Sequence, residues 1–276
     1  MKRACVIGWP IEHSRSPMIH GHWIKRYGID GDYTMRAVKP EDVRHFLTHL
    51  ADEGFVGCNV TVPHKEQAFA AAAWIDPSAK AVGAANTLWL DNGTLCAANS
   101  DTYGYIAHLD ATAPAWRSLD GAVTILGAGG TARALAYGFL EAGVSDVRIV
   151  NRTLARGEEI ARHFGRGVTA LGWDRCDASA ADSRLIVNTT TLGMKGVGAP
   201  EIDLARCRAS TIISDVVYIP LETPFLAAAR AACLQTVDGL GMLLHQAVPG
   251  FEKWFGVRPE VTAELRDIVV KDIEGA

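Results

Sequence analysis

The sequence predicts an α/β fold divided into two domains, and three observations carry that expectation. Short apolar runs alternate with amphipathic stretches from Ala4 to Ala98. After a connector at 114–120 the same alternation starts again. The first strand and first helix of that second series are joined by a glycine-rich turn, Gly127-Ala128-Gly129-Gly130. Such alternation favours a mainly parallel sheet covered by helices.

In order, 4–8 reads as a buried strand and 17–27 as a helix opened by Pro17. Strands are expected at 33–38 and 56–62, with helical stretches at 41–50 and 64–74. Two short β-like runs follow at 87–90 and 95–98, then a helix after Asp101. The second series reads strand 122–126, helix 131–142, strand 147–150, and further strands at 185–188 and 211–214. The chain closes on two helical patterns, 241–255 and 260–273, the second with Val261, Leu265, Ile268 and Val269 on one face. We find no internal repeat. The expected divisions are 1–101, 102–237 and 238–276, with a cleft between the two domains.

Composition narrows the function. Of 276 residues 49% are hydrophobic and 21% charged, a balance that suits buried cores rather than disorder. The net charge of −4 is spread along the chain, without the basic block a nucleic acid selects. The six cysteines form no CxxC pair and no zinc spacing, as expected of reduced thiols in the cytoplasm. The apolar run after Lys2-Arg3 is broken by Gly8 and Pro10, too early for a signal peptide, and no membrane span is expected.

Gly127, Ala128, Gly129, Gly130, Thr131 and Ala132 fit GxGxxA between an apolar strand and an alanine-rich helix. The first glycine permits the turn, the second lets backbone approach a pyrophosphate, and the small last residue lets helix pack on strand. The helix N-terminus favours an anion. At the end of the next strand, NAD sites keep an acid for the ribose hydroxyls. Asn151-Arg152-Thr153 stands there instead. A guanidinium can pair with a 2′-phosphate, with Arg156 one turn further on. The expected cofactor is therefore NADP(H).

In Asn59-Val-Thr61-Val-Pro63-His64-Lys65 the proline is placed to end a strand and begin a helix. Lys65 then lies in the first turn, where the macrodipole disfavours a cation. Asp101, before a helical stretch, reads equally as an N-cap or as a functional acid. In Ser14-Arg15-Ser16-Pro17, Ser16 suits an N-cap and Pro17 N1; two hydroxyls at a helix start also suit a carboxylate. His20 and His22 point apart on a helix, so no metal site is expected. His64 and His245 read as structural, and Trp9, Trp23 and Trp74 as core.

These motifs resemble the shikimate dehydrogenase family nearly end to end. They are SRSP at 14–17, NVTVPHK at 59–65, GAANT at 83–87, NSD at 99–101 and GAGGTAR at 127–133. NRT at 151–153, NTTTLGM at 188–194, DVVYIPLETP at 215–224 and DGLGMLLHQA at 238–247 complete the set. The resemblance implies an N-terminal substrate domain, a Rossmann-like NADP domain, and C-terminal helices that return to the first domain. It implies reduction of 3-dehydroshikimate to shikimate with Lys65 and Asp101 as catalytic pair. Ser14, Ser16 and Tyr218 would take the substrate carboxylate, and Thr61, Asn86 and Gln246 the ring hydroxyls. Val216 and Gly239 would contact the nicotinamide end. The chain departs from the family at Ser100 (more often Thr), at Thr102-Tyr103 in place of a glycine-containing turn, and at Asp238 (often Asn). The alternatives are a quinate/shikimate dehydrogenase, favoured by an acid at 151 or 152, and a nucleotide-sensing relative free to lose Lys65 or Asp101. The expected working form is a monomer or homodimer.

Overall fold

The computed structural model describes residues 1–275. They divide into two compact units: 1–104 with the described residues from 244 onward, and 105–243. The first unit opens with β1 (Lys2–Gly8), α1 (Ser16–Arg26), β2 (Gly31–Ala37), α2 (Val43–Thr48), β3 (Gly57–Val60) and α3 (Lys65–Ala71). It continues with β4 (Trp74–Ile75), α4 (Pro77–Val82), β5 (Thr87–Asp91), β6 (Thr94–Ala98) and the start of α5 (Ser100–Thr112).

Its sheet has the order β2-β1-β3-β5-β6-β4. β1 runs parallel to β2 and β3, and β4 to β6, but β5 is antiparallel to both β3 and β6. The expected mainly parallel sheet is thus mixed here. The cause is the two-residue turn Asn92-Gly93, with φ of 48° and 82°. Two positive φ values are the type I′ geometry that closes a hairpin without a crossover. The helix expected to reach Trp74 stops at Ala71, because Ala72 turns extended and Ala73 N–H donates to Leu95 O. The sheet claims the chain there.

The second unit holds β7 (Ala122–Leu126), α6 (Gly130–Glu141), β8 (Val147–Asn151), α7 (Leu154–Phe164), β9 (Val168–Gly172) and α8 (Cys176–Ala180). β10 (Ser183–Asn188), β11 (Ile212–Asp215), α9 (Pro224–Ala231), β12 (Gln235–Val237) and α10 (Leu240–His245) follow. All six strands are parallel, in the order β12-β11-β10-β7-β8-β9. Neighbouring residues feed opposite faces: Ile125, Ile149 and Val187 join one core with Phe139 and Trp116, while Leu126, Val150 and Ile186 join another with Phe225. Strands covered on both sides read as continuous apolar runs. The order reverses at β7, the switch point at whose carboxyl edge such sheets bind ligands.

The chain ends with α11 (Ala247–Phe255) and α12 (Ala263–Gly275). The helix expected over 241–255 is broken at Gln246, since Pro249 has no N–H for the carbonyl four residues back and its ring crowds it. α11 lies on the first unit's sheet, where Trp254 Nε1 donates to Leu88 O at 2.8 Å. A Cβ on Gly57 would collide with that indole, and one on Gly31 with Phe255. Among the described residues no helix is long and apolar enough to cross a membrane.

Candidate active site

Lys65 is the first residue of α3 and Asp101 lies in the first turn of α5. The two side chains meet: Lys65 Nζ donates to Asp101 Oδ2 at 2.8 Å, with the lysine 31% and the carboxylate 16% exposed. The cation that a helix start disfavours is thereby compensated by an anion that a helix start favours. Asp101 is not the cap of α5. Asn99 Oδ1 accepts from Asp101 N at 3.1 Å and takes the capping place, so the Asp101 carboxylate is not spent on capping. The preceding residue, His64, is a fully buried ring whose Nε2 bonds Val38 O at 2.7 Å.

Asn86, just before β5, donates from Nδ2 to Asp101 Oδ1 at 2.8 Å and reaches Gln246 Oε1 at 3.4 Å. Gln246 stands at the α10–α11 break, where Gly104 makes room; a Cβ on Gly104 would sit 2.5 Å from Gln246 Cβ and 2.8 Å from its N and Cα. Behind these groups lies a buried polar set of Tyr33, Asn59, Thr87 and Ser100. Tyr33 Oη donates to Asn59 Oδ1 at 2.7 Å, and Asn59 Nδ2 donates to Asn86 O at 3.1 Å. Sequence reading assigned roles to none of these four. The available signal was an Asn and a Thr inside otherwise apolar strand ends.

Ser14 and Ser16 also come together, with Ser16 N donating to Ser14 Oγ at 3.3 Å. Ser16 is already helical, and neither it nor Arg15 caps α1 through its side chain. The N-cap reading is therefore corrected; Pro17 falls at the second helical position, and the Ser16 hydroxyl is not spent on capping. Pro63 likewise precedes α3 by a residue and does not open it. Arg15 is tied to α12, Nε to Asp272 Oδ2 at 2.8 Å. Thr61 follows β3, its N–H on Ile7 O, and Gly8 lets its methyl approach: a Cβ there would lie 2.6 Å from Thr61 Cγ2.

In the second unit Gly127 has a φ of 110°, and a Cβ on it would meet Thr189 Oγ1 at 2.8 Å. Both the turn and the close approach demand glycine. Gly129 and Gly130 differ, since a Cβ on either would meet no packing neighbour among the described residues within 4 Å. No packing within the described residues therefore requires glycine at these two positions. They open α6, whose start no side chain caps, so its N–H groups suit an anion. Thr131 lies in the first turn, Ala128 packs on the core, and Ala132 is fully buried. At the end of β8, Asn151 Nδ2 donates to Thr153 O at 2.8 Å and shapes the turn. Arg152 and Arg156 are exposed and enter no ion pair among the described residues. This set fits a dinucleotide with an extra phosphate on its ribose.

Asp215 ends β11 fully buried. Its Oδ1 accepts from Asn188 Nδ2 at 3.0 Å and Val217 N at 2.9 Å, and its Oδ2 from Thr223 Oγ1 at 2.8 Å. Burial outweighs these donors and raises its pKa to about 6 from 3.8. A folded pKa above the unfolded one gives stability that is full below about pH 4 and lost as pH rises through about 6. Two pKa units are worth about 3 kcal/mol. Asp215→Asn should therefore gain about 3 kcal/mol relative to wild type between pH 4 and pH 7 in urea titrations. Parallel stability curves would show that the carboxylate titrates normally.

Three stretches of the chain match described families: residues 6–88 Shikimate dehydrogenase substrate binding domain, 113–204 Shikimate / quinate 5-dehydrogenase, and 239–263 Shikimate 5′-dehydrogenase C-terminal domain. A Brucella melitensis protein named Shikimate dehydrogenase (NADP(+)) is 54% identical over 278 residues, covering 100% of this chain and 96% of its own. The chain belongs to the shikimate dehydrogenase family. Its fold is close to that of the Thermus thermophilus shikimate 5-dehydrogenase solved with NADP(H) and shikimate (TM-score 0.85, 31% identity, 99% and 100% coverage). It is similar also to a Corynebacterium glutamicum quinate dehydrogenase solved with NAD (TM-score 0.88, 27% identity, 98% and 99% coverage).

Of the residues nominated through the shikimate dehydrogenase resemblance, Lys65, Asn86, Asp101 and Gln246 form one linked cluster. Ser14 and Thr61 lie on loops of the same unit, and Ser16 opens α1. Tyr218 lies in the other unit, after β11. Val216 and Gly239 are brought together, since a Cβ on Gly239 would run into Val216 O; that glycine has a packing reason of its own. Asp238, where the family often has Asn, accepts from Leu240 N at 2.9 Å and so opens α10. Two tryptophans are not core: Trp9 is 44% exposed on the loop after β1, and Trp74 is 47% exposed at the sheet edge, edge-on to Trp89. Trp23 is fully buried with His20, which stacks on Tyr33 at 4.0 Å.

Proposed function

We infer that this chain catalyses the reversible NADPH-dependent reduction of 3-dehydroshikimate to shikimate, a step of aromatic amino-acid biosynthesis. The carrying observation is full-length likeness, at 54% identity, to a protein named for that activity. The unbroken Lys65–Asp101 pair supports a catalytic rather than a sensing role. When bound, the dihydronicotinamide supplies hydride from its C4 to the ring carbonyl.

Lys65 gives the proton that the nascent alkoxide needs and takes it back in the reverse direction. Asp101 orients the ammonium and the reacting hydroxyl, and the pair acts as one unit. Thr61, Asn86 and Gln246 hold ring hydroxyls, while Ser14, Ser16 and Tyr218 hold the carboxylate. Gly127 to Thr131 cradle the pyrophosphate, Asn151 to Thr153 with Arg156 hold the adenosine phosphate, and Val216 and Gly239 flank the nicotinamide. The protein works in the cytoplasm, where its six free cysteines stay reduced, as a monomer or homodimer.

Shikimate should exceed quinate at least about tenfold in kcat/KM with saturating NADP. Both offer a carboxylate to the serines, so that contact does not discriminate. Quinate adds a hydroxyl on the carboxylate-bearing carbon, and a buried hydroxyl without a partner costs about 1–3 kcal/mol. Tenfold needs about 1.4 kcal/mol. Measuring NADPH formation at 340 nm with each substrate tests the reading, and equal specificity constants would favour a quinate/shikimate dehydrogenase instead.

A further inference from the structure

The polar set behind the catalytic pair has a fixed direction, because two backbone groups within it allow only one polarity each. Ser100 N–H, a donor only, lies 2.8 Å from one end of the Asn86 amide, so that end is the oxygen. The Asn86 NH2 must then face Asp101. Asn86 C=O, an acceptor only, lies 3.1 Å from one end of the Asn59 amide, so that end is the nitrogen. The same Asn59 nitrogen reaches Thr87 Oγ1 at 3.3 Å. Thr87 therefore accepts from Asn59 and has its own proton for Asn86 Oδ1 at 3.1 Å. Ser100 Oγ lies 3.1 Å from that same oxygen, 3.0 Å from Thr87 Oγ1 and 3.4 Å from Gln246 Oε1. Thr87 and Ser100 are 1% and 3% exposed, so water does not compete for these hydroxyls.

We propose that the Thr87 and Ser100 hydroxyls are positioning groups for hydride transfer: they lock the Asn86 amide with its NH2 on Asp101, and so fix the carboxylate that Lys65 and the substrate hydroxyl share. This rests on the shikimate dehydrogenase reading above. Neither hydroxyl touches the reacting atoms; both act through Asn86. With Asn86 Oδ1 held by three donors, its NH2 cannot rotate away from Asp101 Oδ1, and Oδ2 stays on Lys65. Gln246 Oε1 faces the Asn86 NH2 at 3.4 Å, which turns the Gln246 NH2 outward as a donor. The corner then offers N–H groups to the ligand and one carboxylate as acceptor, which suits a hydroxyl or carbonyl and rejects a cation.

The test is steady-state kinetics of Thr87→Val, Ser100→Ala and the double variant with 3-dehydroshikimate and NADPH. Each single change should lower kcat about 3–10-fold, as for one lost hydrogen bond. The double should lose about 100-fold, more than the singles predict, because either hydroxyl alone still serves Asn86 Oδ1 and misaligned groups lose rate steeply. The KM for NADPH should not move, and the conservative variants Thr87→Ser and Ser100→Thr should restore kcat to within about twofold. Reduced thermal stability with wild-type kcat would reduce both hydroxyls to packing groups and overturn the proposal. So would equal losses in the conservative variants. Ser100→Ala keeps the test decisive if Thr87→Val does not fold. Wild-type enzyme inactive on this substrate would overturn the functional reading itself, whereas active wild type with unaffected variants overturns only this role.

Discussion

Replacing Lys65 by alanine should lower turnover by about 10²–10⁴-fold, the range for a positioned acid–base group, and leave NADP affinity unchanged. Lys65 belongs to the first unit and the glycine turn to the second, so the substitution leaves that turn unchanged. The fold should survive, since Asp101 keeps the Asn86 amide on Oδ1 and the Asn99 cap on its N–H. The lysine side chain is about a third exposed, so water fills its place rather than a cavity opening. Turnover measured at 340 nm beside NADP binding by fluorescence separates the cases. Were binding to fall as steeply as turnover, misfolding would explain the loss and the catalytic role would be wrong.

Arg152→Ala should raise the KM for NADP by about 10–150-fold and leave that for NAD nearly unchanged, as a charge-assisted bond of about 1.5–3 kcal/mol implies. The guanidinium is exposed and paired with no acid among the described residues, and the neighbouring turn is shaped by Asn151 instead. Its removal therefore leaves the loop intact. Equal losses for both cofactors would mean that Arg152 supports the loop and does not read the 2′-phosphate.

Much of the second unit is legible because its strands obey one rule: parallel, covered on both faces and apolar throughout, as in Val123 to Leu126 and Leu185 to Val187. Its weaker elements escape reading. β9 (Val168–Gly172) and β12 (Gln235–Val237) are short edge strands with polar residues, where neighbours rather than local preference decide. In the first unit the antiparallel turn of β5 is written in Asn92-Gly93, but the prevailing alternation of strand and helix outweighs it in the sequence. The motifs that hold Lys65 and Asp101 were visible, but the setting of that pair was not. Asn59, Thr87 and Ser100 are separated along the chain and converge only when β3, β5 and α5 meet. No spacing encodes that convergence, and the break that seats Gln246 depends on a proline three residues later.

The first unit is discontinuous, and this gives the ribosome an order to respect. Residues 105–243 form one unbroken stretch and hold everything their own sheet needs. The first hundred or so residues do not, because the helix that buries Trp254 and Phe255 against Gly57 and Gly31 is made only after residue 243. During synthesis the leading half must wait with one apolar face uncovered while the trailing half is already able to fold. Residues 1–104 are thus made before residues 105–243 but completed after them, once residue 255 has emerged.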